Sequence, residues 1–418
     1  MKLLWLCNSA PGVVNTHIAG KPTGAVNWVD HVLSGLRQHG FEVRILCRGK
    51  EATGKLDESC SYRCFGEDPA HKYSADLEKL FRVELRSYKP DIIHSWGTEY
   101  AHTHAMVNAA QQEGMADRVV ASIQGLCSVC ARHYTEGIPY AVQRSLTVRD
   151  LIRRDNILQQ QKKFALRGEQ EAAALKKIRH VIGRTDWDNA CVTQINPDVH
   201  YHFCNETLRE TFYEGAWQYE GCRKHHIFAS SCSYPIKGFH NLLEAFAIVG
   251  REYPDATLSV TGKSFLKADA LRQTAYQKYL AKIVKDYGLE EKITFLGGCS
   301  AEQMRDAYLE ANVFVLPSAV ENSPNSLGEA MLLGVPCVAA DVGGVRNLMK
   351  DEEGMIYPST APYMLAYYIQ KVFAMEESVQ AMGRKAAVHA RTTHDAEKNL
   401  HDLIEIYQRI ACNETDAG

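Results

Sequence analysis

The 418-residue sequence lacks any long apolar run and any strong excess of one charge. A membrane-spanning helix needs about 18 to 20 consecutive apolar residues, and no stretch of the chain approaches that length. The formal net charge is −3, so the chain has no general attraction to polyanions, and nucleic acid is not an expected partner. We therefore expect a soluble, cytoplasmic protein, with peripheral contact to the inner face of a membrane as an open alternative.

We also expect no secretory signal and no disulfide framework. The apolar opening at residues 3–7 is short and runs directly into polar residues, which favours a first strand over a signal peptide. Many of the 13 cysteines lie within apolar strand-like runs, which is typical of reduced thiols. Cys127 and Cys130 form a C-x-x-C pair without a second pair at zinc-site spacing, so we expect no metal or redox role for them.

Short strand-like runs alternate with segments of helical period along most of the chain. Val29, Val32, Leu33 and Leu36, for example, repeat with helical spacing between two apolar runs and predict a crossover helix. Such alternation favours βαβ units and parallel sheets. The predicted strands are 2–7, 42–47, 91–96, 119–123, 180–183, 226–231, 256–261, 292–297, 313–317, 337–341 and 355–357.

The length of the chain and this alternation predict two Rossmann-like, doubly wound α/β lobes in tandem. We assign 1–205 to an N-terminal lobe, 206–221 to a hinge, 222–395 to a C-terminal lobe, and 396–418 to a final helix that packs back on existing surface. Ligands of doubly wound sheets bind beyond the carboxyl ends of the strands. We therefore expect the function in a deep cleft between the lobes.

The strongest motif lies in residues 313–344. A predicted strand ends at Pro317, a polar loop follows, and Ser326 and Glu329 have the S-x-x-E spacing of a capping box, which predicts the start of a helix. The unpaired N–H groups of such a helix start can hold a phosphate. Glu321 in the loop and Glu329 in the helix place two carboxylates beside that anion site, where they can accept hydrogen bonds from sugar or ribose hydroxyls.

The Glu321-x7-Glu329 spacing in this setting resembles the retaining GT-B glycosyltransferases of the large family 4 group, and Gly334 and Gly343–Gly344 are similar to its continuation. The resemblance implies a GT-B fold and a retaining hexosyltransferase that moves a sugar from a UDP- or GDP-linked donor to a glycan, glycolipid or small-molecule acceptor. A role in polysaccharide biosynthesis is a family-level expectation. No metal and no cofactor are implied, because the nucleotide sugar is a substrate.

Upstream, Lys237 and Gly238 match the Lys-Gly pair that opens a helix in this family, and Lys237 is expected to neutralise the donor diphosphate. Ser231 stands where the family has an arginine, and Arg184 and Lys263 are the candidate substitutes for that cation. The resemblance implies these donor-binding residues: Gly24, Ser231, Lys237, Gly297, Glu321, Asn322, Ser323, Asn325, Ser326, Leu327 and Glu329.

Within that set, Lys237 and Glu321 are the predicted catalytic residues. Glu321 is expected to bind hydroxyls of the transferred sugar, and Glu329 those of the ribose. In such enzymes the leaving phosphate is thought to take the acceptor proton, so no protein base is assigned.

In the N-terminal lobe, Gly24 occupies the position of a glycine-rich loop that approaches the diphosphate in the family. Gln124 stands where many relatives have a histidine, and it can hydrogen-bond a hydroxyl but cannot act as a base. His102 is expected to face the cleft or solvent, whereas His94 is expected to be a core residue. Gln124, His102 and Arg184 are the predicted contacts to the acceptor or the transferred sugar.

Two further patterns have more than one interpretation. Asp186 and Asp188 form a D-x-D pattern, which holds a metal in another glycosyltransferase fold but here precedes a predicted helix, so we expect an N-cap. Residues 149–179 contain nine Lys or Arg and four Asp or Glu. This stretch is either a solvated helical face or a contact to anionic lipid.

Two other functions stay open at this point. A nucleotide-sugar epimerase on the same fold would convert the donor without an acceptor, although the Glu321-x7-Glu329 motif argues against it. A non-catalytic protein that binds nucleotide sugars or glycans is suggested by Ser231 and Gln124, which depart from the family pattern.

Overall fold

The structure is a computed structural model that describes residues 1–21, 28–67, 69–269 and 271–412. No helix in these ranges is both long enough and apolar enough to cross a bilayer. The strands, in chain order, are β1 Lys2–Cys7, β2 Glu42–Cys47, β3 Gly49–Asp57, β4 Cys60–Gly66, β5 Ile92–Trp96, β6 Val119–Ser122, β7 His180–Gly183, β8 His200–Phe203, β9 His226–Ala229, β10 Thr257–Val260, β11 Ile293–Phe295, β12 Val313–Leu316, β13 Cys337–Ala340 and β14 Met355–Tyr357. The helices are α1 Gly12–Ala19, α2 Trp28–Gln38, α3 Ala75–Tyr88, α4 Ala101–Gln112, α5 Cys127–His133, α6 Tyr140–Gln143, α7 Val148–Arg153, α8 Ile157–Leu175, α9 Asp186–Ile195, α10 Phe239–Glu252, α11 Ala275–Asp286, α12 Ala301–Glu310, α13 Asn325–Leu333, α14 Val345–Leu348, α15 Pro362–Ala374, α16 Gln380–Thr393 and α17 Ala396–Ala411.

The first sheet has eight strands in the order β3-β4-β2-β1-β5-β6-β7-β8, and its neighbouring strands are parallel except β3 and β4. Leu3 and Trp5 of β1 belong to one apolar cluster, and Leu4 and Leu6 belong to another. Both faces of the sheet are therefore covered, as is usual for parallel sheets. Strands β2 to β4 lie on one side of β1 and strands β5 to β8 on the other, so the switch point of this sheet lies between β1 and β5.

The second sheet has six parallel strands in the order β11-β10-β9-β12-β13-β14. The chain runs outward from β9 to β11 and then returns to the other side of β9 with β12. The switch point of this sheet therefore lies between β9 and β12. Ligands of doubly wound sheets bind at such points, beyond the carboxyl ends of the strands.

The strands that the sequence predicts are all present within one or two residues of their predicted ends, but β3, β4 and β8 are absent from the predictions. Strand β3 is polar and lies at the edge of its sheet, where it pairs with β4 through two irregularities in register. A Cβ on Gly54 of β3 would lie 2.6 Å from Oη of Tyr62 on β4, so glycine is needed where the tyrosine crosses. Strand β3 therefore lacks the continuous apolar run from which the other strands were predicted.

Contacts between Cα atoms divide the chain into two compact units. The first unit contains Met1–Val129, Lys163–Arg209 and His394–Gly418, and the second contains Cys130–Lys162 and Glu210–Thr393. This grouping differs from the predicted bounds, which assign the whole of 1–205 to one lobe.

Two buried polar side chains connect residues 130–162 to the rest of the second unit. The fully buried carboxylate of Asp150 accepts a hydrogen bond of 2.9 Å from the N–H of Ala275, the first residue of α11. The ring of His240, at the start of α10, lies 3.2 Å from the carbonyl oxygen of Glu136. A carboxylate is favourable at a helix N-terminus. Because these contacts join positions more than 100 residues apart, hydrophobic periodicity could not predict them.

The last helix, α17, packs on the first unit. Its residues Leu403 and Tyr407 are buried in the apolar cluster that contains Trp5 of β1. Oη of Tyr407 also lies 2.6 Å from Nδ1 of His94 on β5, and Nε2 of His94 lies 2.8 Å from Oγ of Ser122 on β6. Both ring nitrogens of His94 therefore have partners, as expected for a core histidine.

Candidate functional site

The loops that follow β9 and β12 meet at the switch point of the second sheet. The N–H of Ala319 donates to the carbonyl oxygen of Ile236 at 2.8 Å. Gly238 has a φ of 64°, and a Cβ at this position would lie 1.8 Å from the carbonyl oxygen of Pro317. Only glycine fits this left-handed conformation and this close backbone approach. The close approach of the two loops therefore explains why a glycine follows Lys237.

The side chains of Lys237 and Glu321 form an ion pair at this point. Nζ of Lys237 lies 2.6 Å from Oε1 of Glu321, and Oγ of Ser318 donates to the same oxygen at 2.7 Å. Among the described residues, none donates a hydrogen bond to Oε2 of Glu321. Burial acts to lower the pKa of Lys237, but the adjacent carboxylate of Glu321 and its hydrogen bond raise that pKa overall, so the ammonium stays charged.

The backbone of Glu321 is held from a third direction. Gly343, which follows β13, has a φ of 51°, and a Cβ there would lie 1.7 Å from the carbonyl oxygen of Glu321. The N–H of Gly344 donates to the same oxygen at 3.2 Å. The Gly-Gly pair of the sequence motif therefore positions the Glu321 loop.

Helix α13 begins at Asn325, and the predicted capping box of Ser326 and Glu329 is wrong. Pro324 occupies the N-cap position, and no described side chain caps the first turn. Ser326 is already helical, and its carbonyl oxygen lies 2.9 Å from Oη of Tyr308, which also lies 3.3 Å from Oε2 of the buried Glu329. Sequence spacing suggested the box, but the N-cap is Pro324, two residues before Ser326.

Comparison with known proteins identifies the region that holds this site. Residues 224–389, which contain strands β9 to β14 together with Lys237 and Glu321, match the family described as "Glycosyl transferases group 1". This region belongs to the group 1 glycosyl transferases.

Curated relatives of this glycosyl transferase region match over a limited length. The D-inositol 3-phosphate glycosyltransferase of Corynebacterium urealyticum is 26% identical over 176 residues, which are 42% of this chain and 41% of that protein. The mannosylfructose-phosphate synthase of Agrobacterium fabrum is 32% identical over 159 residues, which are 37% of this chain and 34% of that protein. The chain thus spans less than half the length of either relative.

Solved structures match over nearly the whole chain. Sucrose-phosphate synthase from Thermosynechococcus elongatus has a TM-score of 0.71 at 16% identity and covers 99% of this chain and 100% of its own. Anabaena HepE in complex with UDP-glucose has a TM-score of 0.68 at 17% identity and covers 98% of this chain and 99% of its own. The predicted GT-B fold, with two Rossmann-like lobes, is confirmed.

The other predicted donor residues of the glycosyl transferase region follow strands of the second sheet. Oγ of Ser231, after β9, accepts from the N–H of Ser233 at 3.4 Å. Gly297, after β11, exchanges two backbone hydrogen bonds with Gly262, after β10. Leu327 is buried, and its N–H already donates to the carbonyl oxygen of Pro324, so neither its side chain nor its N–H is offered to a ligand. The remaining predicted residues of the loop and helix start are Asn322, Ser323 and Asn325.

In the first unit, Gln124 and Arg184 form a group with Glu206, a residue that the sequence analysis missed. Nε2 of Gln124 donates to Oε1 of Glu206 at 2.5 Å, and Oε1 of Gln124 accepts from Nη2 of Arg184 at 3.3 Å. Arg184 and Glu206 are both buried and form an ion pair. Burial raises the pKa of Glu206, and the charge of Arg184 opposes that shift without cancelling it. Since Arg184 is already paired, it is a poor substitute for the cation missing at Ser231.

His102 is not exposed to solvent, so that alternative of the expectation was wrong. It is buried on α4, and its Nε2 lies 2.9 Å from Oδ1 of Asn8, whose Nδ2 donates to Glu99 at 2.8 Å. Burial, together with smaller contributions from the charges of Arg48 and Arg167, lowers the pKa of His102 to about 3. Asn8 follows β1 and Glu99 follows β5, so this polar group lies at the switch point of the first sheet.

The D-x-D pattern belongs to a helix start. Thr185 is the N-cap of α9, and it forms a capping box with Asp188, so the predicted cap lies one residue before Asp186. In the described parts of the chain, no cluster of three or more His, Cys, Asp or Glu could hold a metal ion. The remaining predicted donor residue, Gly24, lies outside the described residues.

The basic stretch 149–179 carries less unbalanced charge than its composition indicates. Arg149 pairs with Asp155 at 3.1 Å, and Arg179 pairs with Asp117 at 3.1 Å. Counting Lys and Arg along the chain therefore overestimates the positive surface here.

Proposed function

We propose that the chain is a retaining glycosyltransferase that takes its sugar from a UDP- or GDP-linked donor. The observation that carries this proposal is the ion pair of Lys237 and Glu321 at the switch point of a group 1 glycosyl transferase region. HepE has a similar fold, and its crystal structure was determined in complex with UDP-glucose. This supports the choice of donor class.

In this proposal, two features stabilise the donor diphosphate. The charged ammonium of Lys237 neutralises part of its negative charge. The first turn of α13, which no described side chain caps, offers the N–H groups of Asn325 and Ser326. The leaving diphosphate gains charge as the glycosidic bond breaks, so preorganised donors here lower the barrier.

The two glutamates orient the rest of the donor. Oε2 of Glu321 is available for hydroxyls of the transferred sugar, because Lys237 and Ser318 both contact Oε1. Glu329, which is held by Tyr308, is assigned to the ribose hydroxyls. Transfer breaks the bond from the anomeric carbon to the phosphate oxygen and forms a bond to the acceptor oxygen on the same face. The acceptor proton passes to the leaving phosphate.

Names of related proteins suggest which acceptors to test first. D-inositol 3-phosphate glycosyltransferase, mannosylfructose-phosphate synthase and sucrose-phosphate synthase are all named for phosphorylated polyols or sugars. Phosphorylated polyols and sugars therefore come first, followed by glycans and glycolipids. In the first unit, we assign acceptor hydroxyls to the polar group of Asn8 and Glu99.

Thermal shift followed by mass spectrometry tests the proposal. We expect UDP or GDP and one of their sugar conjugates to raise Tm in the wild type and to do so much less in Lys237→Ala. The matched control is Lys282→Ala, which removes an exposed lysine from α11. Mass spectrometry should then show a product that is heavier than the acceptor by one sugar. NMR should show that this sugar keeps the anomeric configuration it has in the donor.

Three results would contradict the proposal. If no nucleotide stabilises the protein in the first screen, the assignment of the donor site is wrong. Conversion of the donor sugar without an acceptor would indicate an epimerase. Tight donor binding without transfer to any acceptor and without slow hydrolysis would indicate a binding protein.

A further inference from the structure

A group of large apolar side chains is exposed in residues 140–152 of the second unit. Ile152 is 74% exposed and Leu151 is 62% exposed, although both are residues that globular proteins usually bury. Clustered exposure of this kind marks an interaction site more often than isolated exposure does. We call this group the apolar patch, and its members are Tyr140, Leu146, Val148, Leu151 and Ile152.

Helix geometry makes the centre of the apolar patch continuous. Val148, Leu151 and Ile152 occupy positions i, i+3 and i+4 of α7, so they share one face of the helix. Asp150 lies on the opposite face, where it is buried and caps α11 through Ala275. The helix is therefore already packed on its inner side, and the apolar patch is not an unfinished part of the core.

Arginines border the apolar patch. Arg144, Arg153 and Arg154 are exposed, and the guanidinium of Arg144 lies over the ring of Tyr140 at 5.4 Å. The only acidic residue between positions 137 and 154 is the buried Asp150. The surface thus combines apolar side chains with positive charge, and the carboxylate that follows it in the chain, that of Asp155, is paired with Arg149.

We propose that the apolar patch docks on the surface of an anionic bilayer. The apolar side chains enter the boundary between headgroups and acyl chains, and the arginines contact lipid phosphates. A second copy of the chain fits less well, because a twofold contact through this surface brings arginines against arginines. The inference does not depend on the proposed transferase activity, since it rests on exposed residues outside the donor site.

Co-sedimentation with vesicles tests this inference. We expect the wild-type protein to bind vesicles that contain equal amounts of phosphatidylcholine and phosphatidylglycerol, to bind less as salt is added, and not to bind vesicles of phosphatidylcholine alone. The double variants Leu151→Ser with Ile152→Ser, and Arg153→Glu with Arg154→Glu, should each lower the partition coefficient by about tenfold or more. The control Val388→Ser changes an equally exposed apolar residue of the same unit and should bind as the wild type does.

Folding and self-association are checked on the same samples. All variants should have the Tm of the wild-type protein, because they change exposed side chains only. The proposal fails if the double variants bind like the wild type, if both kinds of vesicle bind equally, or if neither binds. It also fails if the wild type elutes as a dimer that the double variants dissociate while vesicle binding is absent.

Discussion

Lys237 and Glu321 follow different strands, β9 and β12, yet their side chains meet at 2.6 Å. The glutamate side chain is 11% exposed and the lysine side chain 33% exposed, so a ligand can reach the ammonium while the pair stays intact. The pair also holds both side chains in position before any donor arrives. Preorganisation of this kind is what a site that stabilises a leaving diphosphate requires.

Replacing Lys237 with Ala should lower kcat by about 10²- to 10³-fold, because one preorganised positive charge on the leaving group is lost. Lys237→Arg should keep part of the activity. Steady-state kinetics with the donor found by thermal shift would measure both. Lys263→Ala, which removes the other candidate lysine, serves as the comparison. Wild-type turnover in Lys237→Ala would mean that the phosphate site has been misplaced.

The missing arginine at Ser231 gives a related prediction. We expect Ser231→Arg to tighten binding of the free nucleoside diphosphate, since the new cation follows β9 close to Lys237 in the chain. Isothermal titration calorimetry would measure this. Weaker binding would instead mean that the pocket is fitted to the serine.

Glycine at position 238 should be essential for the way the two loops meet. Gly238→Ala places a Cβ 1.8 Å from the carbonyl oxygen of Pro317, so the loops after β9 and β12 must separate. Gly288→Ala is a matched control, because Gly288 has a φ of 63° in the same unit and no atom within 4 Å of its Cβ position. The control should cost about 1 kcal/mol of stability, and Gly238→Ala clearly more, with loss of nucleotide binding. Equal unfolding free energies would show that the close approach is unimportant.

Much of this site could be predicted from the sequence because its parts are local. Lys237, Gly238 and Glu321 lie in the segments that follow strands revealed by apolar runs, and parallel strands bring their carboxyl ends to one edge. Glu206 could not be found in this way, since it lies 82 residues from Gln124 and no local pattern links them.

The capping box shows the opposite kind of error. The spacing of Ser326 and Glu329 fits the motif, but Glu329 contacts Oη of Tyr308 instead, and this contact depends on packing between α12 and α13. The grouping of residues 130–162 with the second unit likewise depends on tertiary contacts such as that of Asp150 with α11. Local spacing predicts elements well and partners in space poorly.

Buried neutral histidines should make the fold sensitive to acid. Burial lowers the pKa of His94 to about 3, whereas an unfolded histidine has a pKa of about 6.5. The unfolded chain therefore binds a proton that the folded chain excludes, so this stability is complete above about pH 6.5 and falls as the pH drops towards the folded value. Each such residue contributes up to about 1.4 kcal/mol per pH unit. Other histidines with strongly lowered pKa values are His102, His180, His226 and His240.

Denaturant unfolding at several pH values would measure this slope. His94→Asn should reduce the slope by up to one proton, whereas Val388→Ser, which changes an exposed side chain without an ionisable group, should not change it. A slope that is the same in both variants would argue against the exclusion of a proton at His94.

Replacing the two glutamates of the donor site should change different quantities, namely donor binding for Glu329 and kcat for Glu321. Glu329→Gln removes a proposed contact to the ribose that exists in both the ground state and the transition state. It should raise the donor KM and weaken binding of the free nucleoside diphosphate, with kcat nearly unchanged. Because glutamine keeps an oxygen that can accept from Oη of Tyr308, its effect on Tm should be small.

Glu321→Gln should lower kcat by about 10- to 100-fold, because the transferred sugar loses its orienting carboxylate. The free nucleoside diphosphate lacks the transferred sugar, so it loses no contact in this variant. Lys237 also loses the carboxylate that partly neutralises its positive charge. Affinity for the nucleoside diphosphate should therefore stay constant or increase. Calorimetry on both variants, together with kinetics, separates the roles. Equal loss of nucleoside diphosphate binding in the two variants, or no effect of either on binding and turnover, would overturn the assignment of Glu321 to the sugar and Glu329 to the ribose.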